Sequence, residues 1–246
     1  MKRAHTDNFI GGAAILAVCL FWYISYAVTG NELVLPSPIA CLQSVGKLLI
    51  SAWFWKAFFA TLSRVLIAFV ISFALALIFA LGSYLSPPFA AFLRPIVRIV
   101  RAFPTMAVVL LLLLWSGAER APVIVAFLSL FPMLYEGVFS ALTGVDKQLI
   151  QMSRLYHVPI QRQIQKLYLP CALPRVAREG AAALGFAVKL VVSAEVLAGT
   201  FISVGGAMQE ARASMDIPLL FALTIVTVAF AAVLETVVCK LTRWCE

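Results

Sequence analysis

The sequence predicts an all-α, polytopic membrane protein with six transmembrane helices. Three observations carry this reading. First, of 246 residues 63% are apolar and only 12% are charged, about half the charged share of roughly 25% in soluble domains, and the mean hydropathy is +1.01. Second, the apolar residues gather into six stretches approaching the ~20 residues that a helix needs to cross a bilayer. Third, the basic residues are distributed unevenly over the segments between those stretches. A soluble fold of this length would need far more polar surface, so a soluble enzyme, a disordered chain and a secreted disulfide scaffold are excluded. Residues 1–246 read as a single transmembrane domain.

The first stretch runs from Phe9 to Val28 without a charge, and the second from Leu62 to Leu81 with Arg64 near its start. Thr105 to Trp115 is uncharged and extends to Ala102–Gly117 at most. Pro122 to Phe139 is the fourth, with Glu136 near its end. Gly180 to Leu197 is the fifth and carries Lys189 and Glu195. Pro218 to Val238 is the sixth, with Glu235 near its end. Lipid offers no hydrogen-bond partner to the backbone, so each span is expected to be helical. Lys2 and Arg3 before the first stretch suit a signal peptide, but its run of about 20 apolar residues exceeds the usual 7–15. It reads as a retained anchor.

With both termini inside, the inner segments hold 13 Lys and Arg and the outer segments 4 (Lys47, Lys56, Arg120 and Arg212), Arg64 and Lys189 lying within spans. The positive-inside rule therefore places both termini in the cytoplasm, and the net charge of +8 is mostly a signature of topology. Nucleic-acid binding is the weaker reading, because the basic residues are spread over loops beside apolar spans. Of the cysteines (19, 41, 171, 239 and 245) only Cys41 falls clearly outside, so it lacks a partner there, and no Cys/His metal spacing occurs.

The longest inner segment, about 140–178, is the most informative. In Asp146 to Tyr156, Leu149, Met152 and Tyr156 share one helical face, and Asp146 suits the N-terminus. His157 and Val158 read as a turn. Pro159 fits the first position of a second helix, with Ile160, Ile164 and Leu167 as its stripe, and Pro170 and Pro174 are expected to break that helix before the fifth span. Two short amphipathic helices at the inner face can simply lie among lipid headgroups, or can form a rigid docking element for a soluble partner. Both readings stand at this point.

The motifs then converge. Leu149-Ile-Gln-Met-Ser-Arg-Leu-Tyr-His-Val-Pro-Ile-Gln-Arg162, followed by Tyr168-Leu-Pro-Cys-Ala-Leu-Pro174, resembles the EAA loop of ABC-importer permeases. Leu35-Pro-Ser-Pro38 resembles the family's L-P-S-P element after the first span. Thr61-Leu-Ser-Arg64 resembles the start of its second span, Arg101-Ala-Phe-Pro104 the entry to its third, and Ala194-Glu195 falls where the family has the same pair. The marks cover most of the chain in order, and the sulfonate, taurine and nitrate permeases, with those for thiamine-precursor pyrimidines or riboflavin, are the most similar group. Three positions depart from the pattern: Gln151 stands for the loop Glu, Ser153 for the second Ala and His157 for the turn Gly. Glycine allows a positive φ at little cost and histidine tolerates it less readily, so either a differently built turn or a slightly different partner surface is expected.

The resemblance implies a type I ABC-importer permease fold without a catalytic site of its own. It implies two cytoplasmic ATPase subunits that bind ATP and Mg, an extracytoplasmic substrate-binding protein, and a second permease subunit, most simply another copy of this chain. This chain itself is expected to hold no cofactor and no metal. The implied location is a bacterial inner membrane. The implied coupling helix spans 146–162, with Gln151, Met152, Ser153, Arg154, His157 and Arg162 as ATPase contacts. The cargo is a small solute, with an organic anion as the first expectation and a vitamin or vitamin precursor as the alternative.

An ionisable group at mid-bilayer costs roughly 2.5–3.5 kcal/mol on insertion scales, so each needs a reason. Arg64 reads first as snorkelling to headgroups, with a pathway role as the alternative. Glu136 and Glu235 are placed to pair with basic loop residues. Glu195 suits a gate or the solute pathway. Lys189, mid-span, either faces an anionic solute or pairs with a glutamate on another helix. No Ser/His/Asp set, phosphate loop or H-E-x-x-H occurs, which disfavours an intramembrane enzyme. A channel or ATP-independent carrier would show inverted repeats, and none is evident.

Overall fold

A computed structural model describes the backbone of residues 2–32 and 34–243, and the side chains of these apart from 2–15, 147, 154, 160 and 241–243. Every regular element among them is helical: α1 (Lys2–Thr29), α2 (Pro38–Ile50), α3 (Ala52–Leu85), α4 (Pro87–Ala102), α5 (Thr105–Ser116), α6 (Ala121–Thr143), α7 (Lys147–Leu155), α8 (Ile160–Gln163), α9 (Leu169–Ala198), α10 (Val204–Ala213) and α11 (Ile217–Arg243), with a π-helical turn (Ile164–Tyr168) between α8 and α9.

Helices α3, α6 and α9 form the centre. The face of α3 toward α6 and α9 is built from small residues at three- and four-residue spacing: Ala57, Thr61, Val65, Ala68, Ser72, Ala76, Ala80 and Ser83, all buried. In lipid no hydrophobic force drives helices together, so association depends on close backbone approach, which small side chains permit. Leu130, Leu134 and Tyr135 of α6 fill the space opposite, and the Tyr135 hydroxyl donates to Ser83 Oγ at 2.9 Å. Against this centre α11 packs on α9 and α2, α5 on α6 and α9, and α10 on α9 and α11. Trp22 stacks on Phe221 and ties α1 to α11.

The span pattern holds for four helices and is modified for the third. Helices α3, α6, Gln161–Ala198 and Ile217–Lys240 are each long and apolar enough to cross a membrane. The expected third span is not one straight helix: α4 and α5 meet at 90° and form either a broken span or a re-entrant loop. The cause is Pro104, which forces the residue before it out of the helical region; Phe103 sits at φ −66°, ψ 130°. Twelve residues of α5 rise only about 18 Å, short of a ~30 Å hydrocarbon core. The preceding α4 is amphipathic, with Ala90, Leu93 and Val97 buried and Arg94, Arg98 and Arg101 exposed. Within α1 the described apolar part is Leu16–Thr29. Cys19, Cys41 and Cys171 are free thiols, and Cys245 lies outside the described residues.

Pro170 and Pro174 do not end the helix that precedes the fifth span, contrary to the sequence expectation. Pro170 falls within the first two positions of α9, directly after the π turn. The π turn before it, closed by Leu169 N–H donating to Ile164 O, lets the chain run on into α9 without a break.

The central packing predicts a contrast in stability. Leu134→Ala, at a site 1% exposed, is expected to cost about 2–5 kcal/mol. Leu114→Ala, at a site 81% exposed, is expected to leave thermal unfolding of the detergent-purified protein nearly unchanged.

Candidate functional site

At one end the chain builds a helical hairpin that stands off the bundle. Asp146 starts it: its Oδ1 accepts from Gln148 N–H at 2.8 Å and its carbonyl from Ile150 N–H. The turn after α7 is a Schellman arrangement, with Val158 N–H donating to Ser153 O at 3.0 Å and His157 in the left-handed region at φ 50°. Histidine thus adopts the conformation that glycine favours at this point, which corrects the expectation of a differently built turn. Gln163 Nε2 donates to Val158 O and fixes the second arm on the turn.

The hairpin encloses an open groove of about 310 Å³ lined by Leu149, Met152, Tyr156, Val158, Arg162 and Lys166, among others. Gln151, Met152, His157 and Arg162 are exposed, whereas Ser153 is half-buried with its hydroxyl turned back onto Ile150 O. The side chain of Arg154 lies outside the described residues. Helix α7 makes little contact with the rest of the bundle. Nearer the membrane, Tyr84 and Tyr168 join hydroxyls at 2.9 Å, and Arg101 forms an ion pair with Glu136. Glu136 therefore has the basic partner expected for it. Glu235 forms no ion pair among the described residues.

At the opposite end lies a buried polar knot. The Glu195 side chain is fully buried. Its carboxylate accepts from Thr61 Oγ1 at 2.9 and 3.1 Å, from Arg64 Nη1 at 2.9 Å and from Gly205 N–H at 3.2 Å. Thr61 Oγ1 accepts in turn from Val204 N–H, and Arg64 also donates to Ile202 O and pairs with Glu119. Glu119 reaches on to Phe201 N–H at 3.3 Å. Ser203 caps α10 through Gly206 N–H, so the positive end of that helix dipole faces the carboxylate. A Cβ on Gly205 would stand 2.4 Å from Glu195 Cβ and 2.7 Å from Val192 O. Only glycine lets α10 close on α9.

This corrects the snorkelling reading of Arg64. Its side chain is 12% exposed and joins α3 to the α5–α6 loop and to α9. Sequence reasoning treated Arg64 and Glu195 separately and overlooked Thr61 and Glu119 as their partners. The available signal was the i, i+3 spacing of Thr61 and Arg64 at the depth of Glu195. Lys189 stays apart from the knot, six residues earlier on α9 and about 120° around it. It lies on an uncovered stripe with Ala182, Phe186, Ser193 and Leu197, and no ion pair holds it among the described residues.

The two charges of the knot are expected to depend on each other. Arg64→Met or Glu195→Gln alone should destabilise by about 3–5 kcal/mol, while the double variant should lose much less than the sum, because truncating one partner strands the other. Thermal unfolding of the four proteins checks this.

Comparison with known proteins fits this arrangement. A probable ABC transporter permease protein of Brucella abortus is 29% identical over 92% of this chain and 91% of its own length. The taurine transport system permease protein TauC of Escherichia coli is 23% identical over 78% of this chain and 71% of its own. The riboflavin transport system permease protein RibX of Chloroflexus aurantiacus is 26% identical over 94% and 88%. Among solved structures, the inward-facing MetNI methionine ABC transporter matches with a TM-score of 0.66 over 79% of this chain and 96% of that one, at 15% identity. A bacterial alginate ABC transporter in complex with its alginate-bound periplasmic protein matches with a TM-score of 0.65 over 99% and 97%, at 13% identity. The sequence profile of binding-protein-dependent transport system inner membrane components matches residues 72–244, well over half the chain, and the chain belongs to that family.

Proposed function

We propose that the chain acts as one six-span half of an ATP-driven importer in a bacterial inner membrane, with both termini in the cytoplasm and α1 as the sixth span. The observation that carries this is the stand-off hairpin of α7, His157 and α8. It leaves Leu149, Met152, Leu155 and Tyr156 exposed beyond the Arg-rich inner ends of the spans. A cluster of apolar side chains at that position marks a surface that another body covers. The partner is a cytoplasmic ATPase that binds ATP and Mg, and Gln151, Met152, Ser153, Arg154, His157 and Arg162 are the contacts.

The mechanics follow from rigidity. The hairpin continues through the π turn into α9 without a flexible joint, so a displacement imposed on α7 reaches the fifth span. Closure of two ATPase subunits on ATP draws two such hairpins together and opens the far end. By linkage, a delivery protein that favours the open far end also favours the ATP-closed motor. The hollow of about 810 Å³ beside Trp53, Phe201 and Gln209 gives such a protein a place to dock. The second permease subunit is another copy of this chain.

The cargo is a small organic anion of the sulfonate kind, a reading supported by the likeness to TauC. The likeness to RibX supports a vitamin as the second reading. Release of an unanchored solute by an ATP-independent carrier is the rival class, and it predicts flux without the motor.

The hairpin can be broken without touching the spans. In the assembled complex, Met152→Pro is expected to abolish stimulation of ATP hydrolysis by the loaded binding protein, and His157→Gly, which relieves the left-handed turn, to preserve it. Stimulation that survives Met152→Pro in a complex of normal size would contradict the proposed coupling.

A further inference from the structure

Of the charges inside the apolar stretches read from the sequence, Lys189 and Glu235 are left over once the knot and the Arg101–Glu136 pair are accounted for. Lys189 is exposed on α9, nine residues before the helix ends at Ala198, hence about 14 Å inside its outer end. Glu235 of α11 is exposed too, and its carboxylate lies against α9 at Gly185: a Cβ there would be 2.9 Å from Glu235 Oε2. Gly185 precedes Lys189 by one helical turn, about 6 Å along the axis. Long side chains on a helix lean back toward its N-terminus, so Lys189 leans toward the level of Glu235. Neither charge belongs to an ion pair among the described residues. The uncovered stripe continues outward from the two charges through the Ser193 hydroxyl.

Charges left to lipid at this depth are heavily penalised, so both must meet water, a partner copy or cargo. The absence of a side chain at Gly185 is what leaves room for the Glu235 carboxylate one helical turn from Lys189. We infer that Lys189 and Glu235 form a solute site in the pathway that takes a zwitterion, with the cargo's acidic group on Lys189 and its ammonium group on Glu235. Between transport cycles the lysine can swing onto the glutamate, and the pair then separates to accept cargo. This inference rests on the permease reading above and narrows its cargo from a simple anion to an amino-acid-like or aminosulfonate molecule.

The test uses the intact complex of permease and ATPase, with the five native cysteines replaced by serine or alanine. Single cysteines are introduced as Lys189→Cys, Glu235→Cys and, as a stripe control, Ser193→Cys. Binding-protein-stimulated ATP hydrolysis is measured first; its absence from the parent complex would sink the permease reading rather than this site. In complexes that pass, Lys189→Cys should react with the cationic 2-trimethylammonioethyl methanethiosulfonate about tenfold faster than with the anionic 2-sulfonatoethyl reagent, because Glu235 remains. Glu235→Cys should show the reverse preference. Millimolar taurine should slow the reaction at Ser193→Cys, where both charges are intact, more than ethanesulfonate or ethylammonium does. Unreactive cysteines at 189 and 235 would overturn the inference, as would reaction without charge preference. Protection by ethanesulfonate equal to that by taurine would also overturn it, leaving an anion site on Lys189 alone.

Discussion

A carboxylate cannot be buried in a membrane protein unless its charge is matched and its lone pairs are filled, and one end of this fold is arranged around meeting that demand at Glu195. The matching charge comes from α3, through Arg64. The hydroxyl donor comes from the same face of α3, through Thr61, and the remaining donor from the first turn of α10. These requirements fix where three helices meet. They also require a glycine at 205, because any Cβ would collide with Glu195. The outer contact of Arg64 with the exposed Glu119 adds little energy by itself. It does tether the loop between α5 and α6 to the same point, so four segments meet there.

The hairpin end follows a different logic. There the chain keeps one element away from the bundle and stiffens its attachment. Asp146 starts α7, the Schellman turn reverses the chain at His157, and the π turn carries it past Pro170 into α9. Helix α9 thus holds the knot at one end and runs into the hairpin at the other. Between them lies the uncovered stripe that carries Lys189.

Much of this was legible in the sequence, because the motifs have direct physical causes. Leu35-Pro-Ser-Pro38 is a helix start: Ser37 Oγ accepts from Ala40 N–H and Pro38 occupies the first turn of α2. Arg101 and Pro104 mark an ion pair and a break. Spans four and six fell within about five residues of α6 and α11, and span five matched the end of α9 but not its start at Leu169, since hydropathy determines which backbone can sit in lipid. The 90° bend was missed because a run of apolar residues reads alike whether or not its flanking helix is collinear. The partners of Arg64 were missed because they lie 55 and 131 residues away, a distance no local pattern encodes. The continuity through Pro170 was missed because proline reads as a breaker unless the π turn ahead of it is known.

The account's central claim is that α7 is the surface gripped by a separate motor. Photo-crosslinking from position 152 in the assembled complex tests it most directly, with position 201 at the opposite end as reference. The account predicts a covalent adduct between position 152 and the ATPase subunit, and none from position 201. Adducts from position 152 to lipid alone, with the ATPase bound and active, would contradict it.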